Sequence, residues 1–268
     1  MNVEISRVSF GYDQSSLVLR DITFNACDGQ IVSILGPSGS GKSTLLRLIS
    51  GALPAGSSSR FSGTVTYDGQ RSHEPLRSTG QIGFMFQTPS LLPCYTVEEN
   101  IRLPLKLARR SKAVDSTDQL VSKVGLERYK RSLPSQLSGG MQTRVALART
   151  LVTGPSLLLL DEPFSSLDFG WRLRLYDLFT SLHHGDPSRT SILVTHDIAE
   201  AFLLAGTVLV LSTSGRLIDR FTPSQPKIRS FTPEVIGTYL ERLRFDMLTA
   251  QQLLFSEGRA TCVQGHAN

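Results

Sequence analysis

The chain has 268 residues, 40% of them hydrophobic and 19% charged, which is typical of a globular protein with one substantial domain and an appendage, or with two small domains. Its formal net charge of +5 is compatible with an ordinary solvated basic surface or with attraction to nucleic acid or anionic lipid. Cys27, Cys94 and Cys262 are widely separated and form no CxxC pair, which argues against a disulfide framework or a zinc site and favours a reducing compartment.

The sequence predicts that this chain does not cross a membrane by itself. Its first residues, MNVEISRVSFGY, contain no apolar segment of signal-peptide length. The most apolar run, residues 201–211, is too short to span a bilayer and contains Gly206 and Thr207. We therefore expect a cytoplasmic protein.

Two segments near the start of the chain predict an antiparallel patch of sheet. Residues 3–12, VEISRVSFGY, alternate between apolar and polar side chains, as strands of hairpins do. Residues 63–70, GTVTYDGQ, contain Asp68 followed by Gly69, a dipeptide typical of tight hairpin turns. We expect this patch to lie beside the main sheet.

Short apolar runs alternate with helical patterns along the chain, and this alternation predicts an α/β fold. The expected strands of the main sheet are residues 31–35, 81–86, 156–160 and 191–195. The expected first helix is KSTLLRLIS, which begins at Lys42.

The middle and the end of the chain are predicted to be mainly helical. Thr96 followed by Glu99 matches a capping box at a helix start. Residues 216–221, RLIDRF, indicate a short strand. A closing amphipathic helix is predicted over roughly residues 233–255, with an apolar face made of Val235, Ile236, Tyr239, Leu240, Leu243, Met247 and Leu248.

The most specific motif is a glycine-rich phosphate-binding loop. Residues 36–43, GPSGSGKS, match the pattern GxxxxGK(S/T) between a predicted strand and a predicted helix. Glycines let several backbone N–H groups converge on one phosphate, while Lys42 places its charge on the β- and γ-phosphate oxygens and Ser43 offers a hydroxyl to Mg²⁺. The predicted nucleotide-binding residues here are Gly36, Pro37, Ser38, Gly39, Ser40, Gly41, Lys42, Ser43 and Thr44.

An acidic pair follows the four leucines of residues 157–160. Asp161 and Glu162 lie at the carboxyl end of a predicted buried strand, where open α/β sheets bind ligands. Because adjacent residues of an extended chain point in different directions, the two acids can have different partners. We predict that Asp161 holds Mg²⁺ and that Glu162 is the general base.

Two further polar residues follow predicted strands of the same sheet. Gln87 comes after residues 81–86, and His196 comes after residues 191–195. Taken singly, each is compatible with a purely structural role. Their shared position predicts that His196 contacts the γ-phosphate and that Gln87 contacts Mg²⁺ or the attacking water.

A second anion-binding feature lies in the helical region. Ser138, Gly139 and Gly140 stand at the start of a predicted helix, where free backbone N–H groups suit a phosphate. The segment is LSGGM, and it follows the phosphate loop by about a hundred residues. One nucleotide site does not need two such helix starts, so the segment calls for a separate explanation.

Taken in order, these motifs resemble the nucleotide-binding subunit of an ATP-binding cassette (ABC) transporter, over residues 1 to about 211. The resemblance implies an α/β fold: a P-loop NTPase core with a mixed, mainly parallel sheet, an antiparallel β subdomain and a helical signature subdomain. It also implies an ATPase domain at residues 1–215, with the helical subdomain inserted at about 88–149. Residues 216–268 would then form a C-terminal extension with the closing helix.

The same resemblance gives the signature segment a role in a two-subunit site. Two cassettes would pack head to tail, so that Ser138, Gly139 and Gly140 bind the γ-phosphate of the ATP held by the partner. Tyr12 would stack on adenine, with Phe10 as the competing aromatic residue. Asp168, in the sequence Ser165-Ser166-Leu167-Asp168, would face the partner, and the alternative is an ordinary turn residue.

The implied partners are a second cassette, expected to be identical, a separate membrane permease and a periplasmic or extracellular solute-binding protein. The expected location is the cytoplasmic face of the inner (plasma) membrane. The signature variant LSGGM, with Met141 as its last residue, resembles the signatures of nitrate, sulfonate and taurine importers.

The rival hypothesis is a soluble cassette that acts on nucleic acid or the ribosome. Cassettes of the translation type carry two full sets of motifs in one chain, whereas this chain carries one, and this argues against the rival. The exposed-looking residues Leu91, Leu92, Pro93 and Tyr95 are the expected permease contact, unless the helical subdomain packs on itself.

Overall fold

Two sheets form the framework of the computed structural model, which describes residues 1–53, 59–70, 80–108, 117–223, 233–242 and 244–262. A three-stranded antiparallel sheet has the order β2-β1-β4, and a six-stranded sheet has the order β5-β6-β7-β3-β8-β9. The strands are β1 (Val3–Gly11), β2 (Leu19–Ala26), β3 (Ile31–Leu35), β4 (Arg60–Tyr67), β5 (Ile82–Met85), β6 (Leu157–Asp161), β7 (Thr190–Thr195), β8 (Thr207–Leu211) and β9 (Leu217–Phe221).

Helices cover and connect these strands. They are α1 (Lys42–Ile49), α2 (Val97–Leu107), α3 (Thr117–Lys123), α4 (Gly139–Leu151), α5 (Phe169–His184), α6 (Ile198–Leu204), α7 (Pro233–Arg242) and α8 (Arg244–Cys262), with 3-10 turns at Glu127–Tyr129 and Pro134–Gln136. No helix in the described ranges combines the length and the apolar character needed to cross a membrane.

The six-stranded sheet is parallel from β5 to β8, and β9 pairs antiparallel with β8. Every residue of β3, β6, β7 and β8 is buried, as expected for strands covered on both faces. Alternate side chains enter different cores. Ile31 and Leu35 join the cluster formed with α2–α6, whereas Val32 and Ile34 join the cluster formed with α1 and the antiparallel sheet.

The antiparallel patch predicted from the first residues is observed. Strand β1 pairs with β2 on one side and β4 on the other. At the end of β4, Asp68 has a φ of +48° and Gly69 a φ of +80°, while Tyr67 and Gln70 exchange backbone hydrogen bonds of 2.7 and 2.9 Å. Positive φ at both central residues is the property that favours Asp-Gly in such turns.

The structure moves several predicted boundaries. The strands predicted at 81–86, 156–160 and 191–195 are observed as β5, β6 and β7, so Asp161 is the last residue of its strand. The run at residues 201–211 belongs partly to α6 and partly to β8. The capping box is present, since Thr96 Oγ1 accepts from the Glu99 backbone N–H and Glu99 Oε2 accepts from the Thr96 backbone N–H.

The closing helix predicted over 233–255 is helical at every described residue, since α7 and α8 cover 233–242 and 244–262. Ile236, Leu240 and Met247 pack against the core as predicted, but Leu248 is 46% exposed. Leu243 lies outside the described residues.

Candidate functional site

The sheet order brings four segments of the chain to one edge. Parallel strands β5, β6, β7 and β3 are consecutive neighbours. Four groups of residues lie at the ends of these strands: Gln87 after β5, Asp161 and Glu162 at the end of β6 and just beyond it, His196 after β7, and the phosphate loop after β3. The carboxyl ends of these strands therefore form one candidate site, where open α/β sheets place their ligands.

The phosphate loop depends on glycine at two positions. Gly41 has a φ of +97°, and a Cβ there would lie 2.9 Å from Leu19 Cδ2. A Cβ on Gly36 would lie 2.5 Å from the Leu211 carbonyl oxygen. Side chains at these points would therefore push the loop away from β2 and β8. The tip of the loop is open, since no atom of the described residues lies within 4 Å of a Cβ built on Gly39.

The Lys42 ammonium lies inside the loop. Its Nζ donates hydrogen bonds to the carbonyl oxygens of Gly36, at 2.8 Å, and Pro37, at 2.7 Å. The side chain is buried, and burial lowers the pKa of Lys42, while the charges of Glu162 and Asp161 act in the opposite direction. This arrangement keeps a positive charge where the loop would receive phosphate oxygens.

Asp161 and Ser43 form the second part of the site. Ser43 Oγ donates to Asp161 Oδ1 at 2.8 Å across the gap between α1 and β6. Asp161 is 1% exposed, and this burial raises its pKa, partly offset by the Ser43 hydrogen bond. Within the described residues, Asp161 Oδ2 is buried and has no hydrogen-bond partner. A hydroxyl and a buried carboxylate oxygen are hard ligands that fit Mg²⁺.

Glu162 lies between the other two predicted catalytic residues. Its carboxylate accepts from Gln87 Nε2 at 3.3 Å and lies 3.3 Å from His196 Nδ1. Its backbone has a φ of +48°, which is uncommon outside glycine, and strained conformations of this kind cluster at active sites. The Glu162 side chain is 13% exposed, so it is shielded but still reachable by a water molecule.

Tyr12 and Phe10 have different environments. Phe10 is buried in the core, whereas Tyr12 is 48% exposed. The Tyr12 hydroxyl shares a hydrogen bond of 3.0 Å with Thr44 Oγ1, and its ring meets Phe10 edge to face at 5.1 Å. The hydrogen bond places an exposed aromatic ring beside the phosphate loop, and this favours Tyr12 over Phe10 as a base-stacking residue.

The signature segment is exposed at the start of α4. Ser138 is the N-cap, and its Oγ accepts from the Met141 backbone N–H at 3.3 Å. A Cβ on Gly139 would meet no atom within 4 Å in the part of the chain that the structure describes, and one on Gly140 would lie 3.3 Å from the Ser166 carbonyl oxygen. The structure does not join this segment to the phosphate loop: among described residues, no hydrogen bond links the two.

Asp168 has a structural role that the sequence also allowed. It caps α5, with Oδ1 accepting from the Trp171 backbone N–H at 3.0 Å, and its side chain is at the surface. Sequence reasoning missed a neighbouring group. Arg172 donates to the Leu167 carbonyl at 3.4 Å and pairs with Asp197 at 3.5 Å, joining this loop to the segment that carries His196. Asp197 stands three residues before Glu200, which is the spacing of a capping box. This spacing could have identified Asp197 as the start of α6 from the sequence.

A groove lies between β5, α2 and α4 on another face. Its volume is about 750 Å³, and apolar side chains including Phe86, Leu92 and Leu107 line it. Leu92 and Pro93 are exposed as predicted, but Leu91 and Tyr95 are half-buried. The expected exposure of Leu91 and Tyr95 is therefore wrong, and Leu91 packs against the core.

A phosphate loop after a parallel strand, with carboxylates from the next strand but one in the same sheet, defines a P-loop nucleotide hydrolase. A family model described as ABC transporter matches residues 19–165. The chain is 42% identical over 213 residues to the aliphatic sulfonates import ATP-binding protein SsuB 2 of Pseudomonas syringae pv. tomato, covering 80% of this chain and 82% of that protein.

A second relative matches almost end to end. The chain is 34% identical over 261 residues to SsuB, an aliphatic sulfonates import ATP-binding protein of Bacillus licheniformis, covering 96% of this chain and 98% of that protein. A dimeric post-hydrolysis structure of the ATP-binding cassette MJ0796, bound to ADP and Pi, matches with a TM-score of 0.71 and 30% identity, covering 82% of this chain and 98% of that one. The chain belongs to the ABC transporter family, and it is an ATP-binding cassette that hydrolyses ATP.

Proposed function

We propose that this chain is the ATPase subunit of an importer of sulfonate-type solutes, working as a Mg²⁺-dependent dimer on a separate membrane permease. The names of the relatives support the direction of transport and the solute class. The observation that carries the proposed chemistry is the position of Glu162, 3.3 Å from both Gln87 and His196 and beside the pair formed by Ser43 and Asp161.

Hydrolysis follows from these positions. Backbone N–H groups of the phosphate loop and Lys42 hold the phosphates of ATP, and Tyr12 stacks on adenine. Water attacks the γ-phosphorus in line, the bond to the oxygen bridging the β- and γ-phosphates breaks, and Glu162 accepts the proton of the water. Gln87 orients the water, and His196 contacts the γ-phosphate. The products are ADP and inorganic phosphate.

The metal site consists of oxygen ligands. Ser43, Asp161 and Gln87 would hold Mg²⁺, and the buried, unpartnered Oδ2 of Asp161 supports this assignment. When bound, the ion neutralises charge on the β- and γ-phosphate oxygens.

The dimer explains the exposed signature segment. Ser138 with the N–H groups of Gly139 and Gly140 would bind the γ-phosphate of ATP held by a second copy, because a helix N-terminus carries partial positive charge and glycines allow close approach. The openness at Gly139 supports a ligand from another molecule, and Asp168 would face that molecule from the neighbouring loop. The solved relative is also dimeric.

The permease would sit on the apolar groove between β5, α2 and α4. Groove residues such as Phe86 and Leu92 are 41% and 37% exposed, and exposed apolar surface of this kind marks partner sites. Phe86 lines the groove and Gln87 is the next residue in the chain, so occupancy of the groove and the hydrolytic site can influence each other. The subunit would then lie on the cytoplasmic face of the membrane, with a solute-binding protein on the other side.

Two variants test the two-subunit site. Ser138→Arg keeps its own phosphate loop and should bind ATP, but it should not hydrolyse it, because a bulky cation enters the partner's site. Lys42→Ala should instead weaken ATP binding itself. Mixing the two should restore up to about a quarter of the wild-type rate, since about half of random dimers are mixed and each has one intact site. If Ser138→Arg alone hydrolysed ATP at the wild-type rate, the signature segment would not be part of the active site.

A further inference from the structure

Trp171, the single tryptophan of the chain, has a role that the catalytic groups do not explain. It lies in the first turn of α5, and its backbone N–H donates to the side chain of Asp168. Its ring is half-buried, and two arginine side chains lie over it. The Cζ atom of Arg144 is 3.8 Å from the ring centroid, and that of Arg174 is 4.9 Å away.

Arg144 belongs to α4, the helix that Ser138 caps. Its side chain is buried, and its Nη1 donates to the carbonyl oxygens of Val124, at 2.8 Å, and Gly125, at 3.3 Å. One guanidinium therefore holds the end of the α3 segment through hydrogen bonds and the start of α5 through the face of Trp171.

The Trp171 ring also requires glycine at position 125. Gly125 has a φ of +64°, and a Cβ built there would lie 2.0 Å from Trp171 Cη2. The ring thus rests on bare backbone, and the contact leaves no room for another atom. Three segments, from α3, α4 and α5, meet at this ring.

A second connection lies one residue before Arg144. Thr143 Oγ1 and Ser166 Oγ share a hydrogen bond of 2.7 Å, and the signature residue Gly140 lies against the Ser166 carbonyl oxygen. The signature segment and the loop that carries Asp168 are therefore joined at two points within one subunit. Both segments would act on the nucleotide of the second subunit.

We propose that Trp171, held against Arg144 and Gly125, is a positioning residue that fixes the signature segment relative to the loop carrying Asp168. The two segments would then reach the partner's ATP as one unit. This inference rests on the proposed two-subunit site. Trp171 touches neither ATP nor the attacking water, so its effect passes through Ser138, Gly139 and Gly140 of the same subunit to ATP bound by the other.

The first test compares Trp171→Ala with Trp171→Phe, which keeps an aromatic face for Arg144. Trp171→Ala should lower kcat about tenfold or more, because a misplacement of about 1 Å in a catalytic group costs up to about a hundredfold. ATP binding to the single subunit should stay within about twofold, since the phosphate loop is untouched. Trp171→Phe should keep at least about half of the wild-type kcat. The control Arg174→Ala, at an exposed position, should keep as much.

The second test separates positioning from a general loss of folding. Mixed with Lys42→Ala, the Trp171→Ala variant should regain activity above the sum of the two separate rates. In the mixed dimer, the intact phosphate loop of one subunit faces the intact Trp171 and signature of the other. A defect that damaged the subunit's own phosphate loop would not be complemented in this way.

Three results would each overturn the inference. The first is a kcat of Trp171→Ala within about twofold of the wild type, and the second is a loss of kcat in Trp171→Phe equal to that in Trp171→Ala. The third is that Lys42→Ala fails to complement Trp171→Ala while it still complements Ser138→Arg. If Lys42→Ala complements neither variant, the proposed two-subunit site itself is refuted. If circular dichroism shows that Trp171→Ala does not fold, Arg144→Lys decides, because it keeps the charge but loses the flat face that covers the ring. A wild-type kcat for Arg144→Lys would then refute the role of this contact.

Discussion

The buried carboxyl of Glu200 should make the stability of this protein depend on pH. Glu200 is 3% exposed on α6 and accepts a hydrogen bond of 3.0 Å from the Tyr176 hydroxyl. Burial raises the pKa of Glu200 from 4.5 to about 7, and nearby Asp197 adds to the rise. Hydrogen bonds from Thr195 and Tyr176, together with the charge of Arg172, limit it.

The sign follows from proton binding. Between pH 4.5 and about 7 the folded state keeps a proton on Glu200 that the unfolded state has released, so stability falls as pH rises through this window. At about 1.4 kcal/mol for each pKa unit, the full loss is about 3 kcal/mol, of which about 2 kcal/mol falls between pH 5.5 and pH 8.0. Glu200→Gln has no such proton, so it should lack this component.

Urea unfolding at the two pH values measures the effect. The free energy of unfolding of the wild type, minus that of Glu200→Gln, should fall by about 2 kcal/mol from pH 5.5 to pH 8.0. Other titrating groups are common to both proteins and cancel. Glu241→Gln, at an exposed position on α7, is the matched control and should show no such change. A difference constant to within about 0.5 kcal/mol would refute the reasoning.

Two other predictions concern activity. Glu162→Gln should keep ATP binding but slow hydrolysis about a hundredfold or more, as loss of a general base does, and it should accumulate an ATP-bound dimer; hydrolysis at the wild-type rate would assign the base elsewhere. Leu92→Asp combined with Tyr95→Asp should leave the ATPase rate of the isolated subunit largely intact but abolish co-purification with a detergent-solubilised permease, whereas the exposed control Leu248→Asp should retain it. Salt-sensitive binding to DNA or RNA, with no membrane partner, would contradict the transporter proposal.

The motifs of the site were predictable from the sequence because each is local. The phosphate loop is recognisable since its glycines, Lys42 and Ser43 act within a single strand-loop-helix unit. The capping box at Thr96 and the turn at Asp68 are similarly short, and their geometry depends on residues a few positions apart. Periodicity also placed most strands to within a residue or two.

What only the tertiary structure decided involves residues far apart in the chain. The sheet order β5-β6-β7-β3 brings Gln87 and His196 to the two sides of Glu162, and no local pattern encodes which strands are neighbours. Packing likewise distinguished exposed Tyr12 from buried Phe10. The contact of Trp171 with Arg144 depends on three helical segments meeting at one ring, because its energy comes from burial and stacking that exist only after the chain has folded.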